Sequence, residues 1–121
     1  MLAKLAYHTD VWDVYEDLKN GVTEIAVFDI RTKAQYEVAH IPGASNFPFR
    51  LITQDSTGHL DRAITYVVYC DGIGCNASTK GAYALSELGF KVKELLGGLD
   101  FWKRDGYPVV AGMASGSLIR D

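Results

Sequence analysis

Two cysteines separated by four residues, Cys70 and Cys75, stand in the run "YVVYCDGIGCNASTKGAYAL" at 66–85. The first follows a β-branched and aromatic stretch directly; the second lies among small residues just before a helical pattern. A thiol at the carboxyl end of a strand, with a loop leading into a helix, faces backbone N–H groups and the positive end of the helix dipole. Both favour the thiolate. Cys70 is therefore a candidate nucleophile. Gly72 and Gly74 are expected at positive φ, turning successive N–H groups inward as an anion-binding nest around the sulfur. Taken alone, the loop fits a buried, inert strand-end thiol equally well, because free cysteine is among the most buried residue types. Two cysteines at this spacing lack a second ligand pair for zinc, and His8 and His59 stand apart in expected loops, so neither metal nor cofactor is expected.

The elements around the loop follow from periodicity. Val11, Val14, Tyr15 and Leu18 recur at helical spacing, with Thr9 or Asp10 as cap and Asn20-Gly21 as stop. "EIAVFDI" (24–30) is a nearly continuous apolar run, the pattern of a parallel strand covered on both faces. Thr32 opens a short helical segment that ends at "HIPG", since Pro42 biases Ile41 away from helical angles. "ASNFPF" is a short extended piece, and residues 50–64 carry one or two helical turns around Leu51-Ile52 and Leu60 to Ile64. "ITYVVYC" is a strand, and 78–88 a helix with Ala82, Leu85 and Leu88 on one face and Gly89 as its stop. "KVKELLGG" is a further strand, "LDFWKRDG" a last helix and "YPVV" a closing extended segment. Such alternation predicts an α/β domain with a mainly parallel sheet and helices on both faces, its ligand site at the carboxyl ends of the strands.

The chain has 121 residues, 48% of them hydrophobic, enough for one domain with a buried core. We expect the domain over 1–112 and a tail of linker-like composition over 113–121. Net charge is −3 with Lys and Arg scattered, which argues against a nucleic-acid partner. No apolar run approaches membrane-spanning length and the first residues turn polar early, so the expectation is a soluble, cytoplasmic chain without membrane contact. Two cysteines are too few for a disulfide scaffold and read as thiols or a transient redox pair. A monomer or a homodimer is expected.

Four blocks in order, "VFDIRTKAQYEVAHIPGASNFP" (27–48), "YVVYC" (66–70), "STKGAYALSELGF" (78–90) and "VKELLGGLDFW" (92–102), give the chain its family resemblance. It resembles the rhodanese, or sulfurtransferase, family over almost its whole length. The resemblance implies a rhodanese-like α/β fold with a central five-stranded sheet and an active-site cysteine at the end of the central strand, carrying sulfane sulfur as a persulfide. By position that is Cys70. The loop Asp71, Gly72, Ile73, Gly74, Cys75, Asn76 and Ala77 would then stabilise the persulfide. The implied partners are a small sulfur donor, thiosulfate or a persulfide, and a thiol or cyanide acceptor; a persulfide-carrying protein is a further candidate donor. Asp29, Arg31, Glu37 and His40 fall in a block that holds the fold together. There an Arg31–Glu37 ion pair is the expected structural element and His40 a turn-stabilising hydrogen bonder.

The chain departs from the family pattern in three ways. Seven residues separate Cys70 from the "STKGA" helix, a lengthened loop. Cell-cycle phosphatases on this fold place an arginine after five intervening residues; here that position is Asn76, which lacks the charged bidentate grip phosphate recognition favours. A cysteine phosphatase is thus the less favoured activity. The loop itself has one acid, Asp71, and no base, with Lys80 the nearest cation, which counts against the thiosulfate dianion. Cys75 has three readings. It is a small loop residue pointing into the domain (preferred), a resolving thiol that attacks the persulfide and leaves a Cys70–Cys75 disulfide, or itself the nucleophile. The competing class is a catalytically weak rhodanese-like module for binding or redox sensing.

Overall fold

A computed structural model describes residues 8–72 and 74–119. Five strands, β1 (His8–Thr9), β2 (Ile25–Asp29), β3 (Ser45–Asn46), β4 (Thr65–Tyr69) and β5 (Lys91–Leu95), form one sheet in the order β1-β5-β4-β2-β3, every pair parallel. The register sets Ile25 against Thr65 and Asp29 against Tyr69, so β2 and β4 end side by side. The α/β architecture with a central parallel sheet is as the sequence implies.

The alternation of side chains along β4 sorts the two cores. Val67 and Tyr69 face the cluster built with Val11 and Val14 of α1 (Val11–Lys19) and Leu99 and Trp102 of α4 (Gly98–Arg104). Tyr66, Val68 and Cys70 face the opposite cluster with Leu85 of α3 (Ala77–Glu87) and Phe90. Helices therefore cover both faces. Each helix has its sequence signal. Asp10 caps α1 by accepting from the Asp13 N–H at 2.8 Å. Thr32 and Gln35 form a reciprocal capping box at the start of α2 (Lys33–Val38).

Two expectations change. His8 lies in strand β1, not in a loop; two residues are too few to show a period, and the strand is seen only through its pairing with β5. In 50–64 the helical turn at Phe49–Leu51 forms, as a 3-10 turn, whereas Leu60 to Ile64 is not helical. Val110 makes an antiparallel bridge to His40, and Ser115 accepts from the Gly43 N–H at 2.7 Å. Residues 110–118 thus run back across the 36–44 block, where Leu118 packs on the α1/α4 core. Among the described residues no helix is long and apolar enough to cross a membrane.

Candidate active site

Cys70 stands one residue beyond β4, the central strand, and is 4% exposed. Its backbone is held from α4: the Leu99 N–H donates to the Cys70 carbonyl at 3.0 Å, and the Asp100 N–H to the Asp71 carbonyl at 2.7 Å. This contact is what Gly97-Gly98 makes room for. Gly98 has φ +54°, and a Cβ there would collide with the Cys70 carbonyl. These glycines let α4 pack closely, and α4 is thereby fastened to the candidate nucleophile. Trp102 is fully buried, its indole N–H donating to the Pro108 carbonyl at 2.7 Å.

The loop after Cys70 turns back on itself. The Cys75 N–H donates to the Gly72 carbonyl at 3.2 Å and Gly74 takes φ +92°. Gly72 does not have positive φ. Its requirement is space, since a Cβ would run into the Asp100 carboxylate. The nest geometry expected of both glycines therefore holds at Gly74 alone, and the Cys75 N–H is engaged within the turn. Ile73 lies outside the described residues. Asn76 is the N-cap residue of α3 but makes no side-chain cap bond, and Ala77 is the first residue of that helix.

The turn brings Cys75 onto Cys70. The two sulfurs are joined in a disulfide with Cα atoms 6.4 Å apart, within the usual span of about 4.4–6.8 Å. Cys75 packs against the same apolar cluster as Cys70 and is disulfide-bonded to it.

Below the loop lies a buried charge network. Asp29, fully buried, accepts from Arg31 Nε at 2.9 Å and Nη2 at 2.6 Å, from the Arg31 N–H at 3.0 Å and from the Tyr69 hydroxyl at 2.7 Å. Arg31 Nη1 donates to Asp71 at 2.9 Å, and Nη2 also to the Ala39 carbonyl at 2.6 Å. The Arg31–Glu37 pair expected from the sequence is not formed: Arg31 pairs with Asp29 and Asp71. Burial works against the guanidinium charge, but the hydrogen bond and charge of Asp29, with Asp71 behind them, outweigh it and hold Arg31 protonated above its ordinary range. Burial, then the Asp29 charge, pushes the Tyr69 phenol above its ordinary range. It therefore remains a donor to Asp29 while accepting from the Ile41 N–H at 3.0 Å. His40, fully buried, stacks on Tyr36 and sets its ring nitrogens against the carbonyls of Tyr36 and Ala114 at 2.8 and 3.0 Å. It supports the fold.

A cleft of about 370 Å³ opens beside the cysteines. Of the candidate residues, Cys70, Asp71, Cys75 and Ala77 line it, whereas Gly72, Gly74 and Asn76 do not. Ile30, Pro48, Phe49 and Leu51 supply apolar walls; Lys33 and Arg50 supply cations. Arg50 and Lys80 also lie near the Phe49 ring, at 5.9 and 5.8 Å from its centroid. Asp71 does not make the site acidic, since Arg31 pairs with it and Gln35 Nε2 donates to it at 3.3 Å. Charges within the loop do not reveal Lys33 and Arg50, which arrive from the segments after β2 and β3. The carboxyl-end rule for parallel sheets is the one signal that would have pointed to those segments. Among the described residues no three His, Cys, Asp or Glu side chains converge as a metal site requires.

The model of the rhodanese-like domain matches residues 12–105. The chain belongs to the rhodanese-like family. It is 34% identical over 89 residues to a sulfurtransferase of Allochromatium vinosum, covering 73% of this chain and 80% of that protein. It is 31% identical over 93 residues to a helix-turn-helix transcriptional regulator of Mycobacterium tuberculosis, covering 77% of this chain but only 41% of the regulator. Among solved structures, the BH2092 protein of Bacillus halodurans superposes with a TM-score of 0.88 at 36% identity, over 99% of this chain and 88% of that one. This rhodanese-like domain is thus of a sulfurtransferase-type family, with the cysteine that follows its central strand lining the cleft.

Proposed function

We propose that the domain is a sulfurtransferase in which Cys70 carries sulfane sulfur as a persulfide. The observation that carries this reading is Cys70 itself, backbone-clamped at the carboxyl end of the central strand and open to a cleft with cationic walls. In the reduced chain the Cys70 thiolate attacks the sulfane sulfur of a donor such as thiosulfate. A Cys70 Sγ–S bond forms, the donor's S–S bond breaks and sulfite leaves with the electron pair. Cyanide, or a thiolate, then takes the outer sulfur and returns the Cys70 thiolate. The start of α3 at Ala77 and the cations Lys33 and Arg50 favour the anionic forms along this path.

The cleft supports a donor larger than thiosulfate. Its apolar walls suit a carbon body, and Lys33 and Arg50 suit an anionic group on it, as in an organic persulfide or thiosulfonate. Formation of thiocyanate from cyanide and donor, after full reduction of the chain, tests the reading. Wild type should turn over and Cys70→Ser should not; equal thiocyanate from both would refute it. A redox-sensing module is the second reading, favoured by the Cys70–Cys75 disulfide. It predicts no thiocyanate from the reduced chain with any donor.

A further inference from the structure

We propose that Cys75 is a resolving thiol that converts the Cys70 persulfide into sulfide, so that the domain acts as a sulfide-releasing persulfide reductase fed by a dithiol. This inference rests on the reading of Cys70 as sulfur carrier. The Cys75 thiolate attacks Cys70 Sγ, the inner sulfur of the persulfide; the Sγ–Sγ bond forms, the Cys70 Sγ–S bond breaks and hydrosulfide leaves with the electron pair. The proton from the Cys75 thiol passes to solvent. The sulfane sulfur is reduced by two electrons and the cysteine pair is oxidised by two. An external dithiol then returns the disulfide to two thiols by exchange.

Three features lead to this assignment. The Cys70–Cys75 bond in the structure is the bond that attack at the inner sulfur would form; attack at the outer sulfur would leave the persulfide on Cys75. The turn is built to bring the sulfurs together: the Gly72–Cys75 hydrogen bond and the positive φ of Gly74 reverse the chain over five residues to a Cα separation of 6.4 Å. Finally, both cysteines line the same open cleft, so hydrosulfide has a way out and a dithiol a way in. The two thiols also differ in support. Cys70 is clamped by α4 and held where it lines the cleft. Cys75 is half-buried on the loop ahead of α3, placed by the turn within bonding reach of the Cys70 sulfur.

The test is a single turnover without added reductant. The reduced chain, freed of reductant, receives about one equivalent of benzenethiosulfonate, and of thiosulfate in parallel. Neither leaving group, a sulfinate or sulfite, is a source of sulfide, so any sulfide comes from an enzyme persulfide. Wild type should gain about 32 Da transiently, release about one equivalent of sulfide and end about 2 Da lighter than the reduced chain. Cys75→Ser should hold the added mass, yield it to cyanide, and release sulfide at least about tenfold more slowly. The inference is overturned by sulfide release from Cys75→Ser at the wild-type rate, or by a wild-type persulfide that persists until cyanide removes it. In both outcomes Cys70 remains the carrier. If neither protein gains sulfur from either donor, the carrier reading fails and this inference fails with it.

Discussion

Arg31 holds one partner inside the protein and one at its surface, and the two bonds should have unequal value. Arg31→Met leaves Asp29, fully buried, with the Tyr69 hydroxyl and one backbone N–H but no cation. Removing one member of a buried ion pair costs roughly 3–5 kcal/mol, because the remaining charge is stranded. For a domain of this size that is a fall in melting temperature of roughly 12–20 °C. Asp71→Asn removes a carboxylate whose side chain is 50% exposed, while Arg31 keeps Asp29. Solvent screening limits that loss to roughly 0–1 kcal/mol. Urea titration followed by tryptophan fluorescence reads both, since buried Trp102 becomes exposed on unfolding. The reasoning is refuted if Arg31→Met costs less than about 1 kcal/mol, or if Asp71→Asn costs as much as Arg31→Met.

Gly98→Ala and Gly106→Ala both place a side chain at positive φ, +54° and +81°, which costs roughly 1–3 kcal/mol of stability. Only the first also collides with the Cys70 carbonyl, whereas a Cβ at Gly106 meets open space. Steady-state thiocyanate formation should therefore fall by about a hundredfold in Gly98→Ala, as misplacement by about 1 Å does elsewhere, and hold in Gly106→Ala. Equal rates in the two variants would contradict the clamp. Lys33→Ala and Arg50→Ala should each raise the KM for an anionic thiosulfonate about two- to fivefold, with the effect shrinking as salt is added. A neutral organic trisulfide should show no such rise, and an unchanged KM for the anion would remove these cations from donor binding.

Much of this was legible in the sequence because local patterns carried it. The apolar run of residues 24–30, the β-branched run before Cys70 and the helical spacing after it locate the two strands whose ends meet. Strand β1 was not legible, since two residues show no alternation and exist as a strand through β5. The block pattern pairs Arg31 with Glu37, a near neighbour; its partners are Asp29, two residues back at the strand end, and Asp71, forty residues on. Sequence proximity says little when a parallel sheet brings the ends of distant strands together. The same reason hid Lys33 and Arg50 from a reading that counted charge within the loop. Spacing left the role of Cys75 open, because five residues reach 6.4 Å only when the chain reverses, and that depends on the turn between Gly72 and Cys75.

The central claim is that sulfur rides on Cys70. Peptide mapping by mass spectrometry of reduced Cys75→Ser, after exposure to benzenethiosulfonate, tests it most directly, because this variant has one cysteine at which to trap the intermediate. The account predicts an addition of about 32 Da on the peptide holding Cys70, removed by cyanide as thiocyanate. An unmodified Cys70 under conditions where the chain still forms thiocyanate would contradict it.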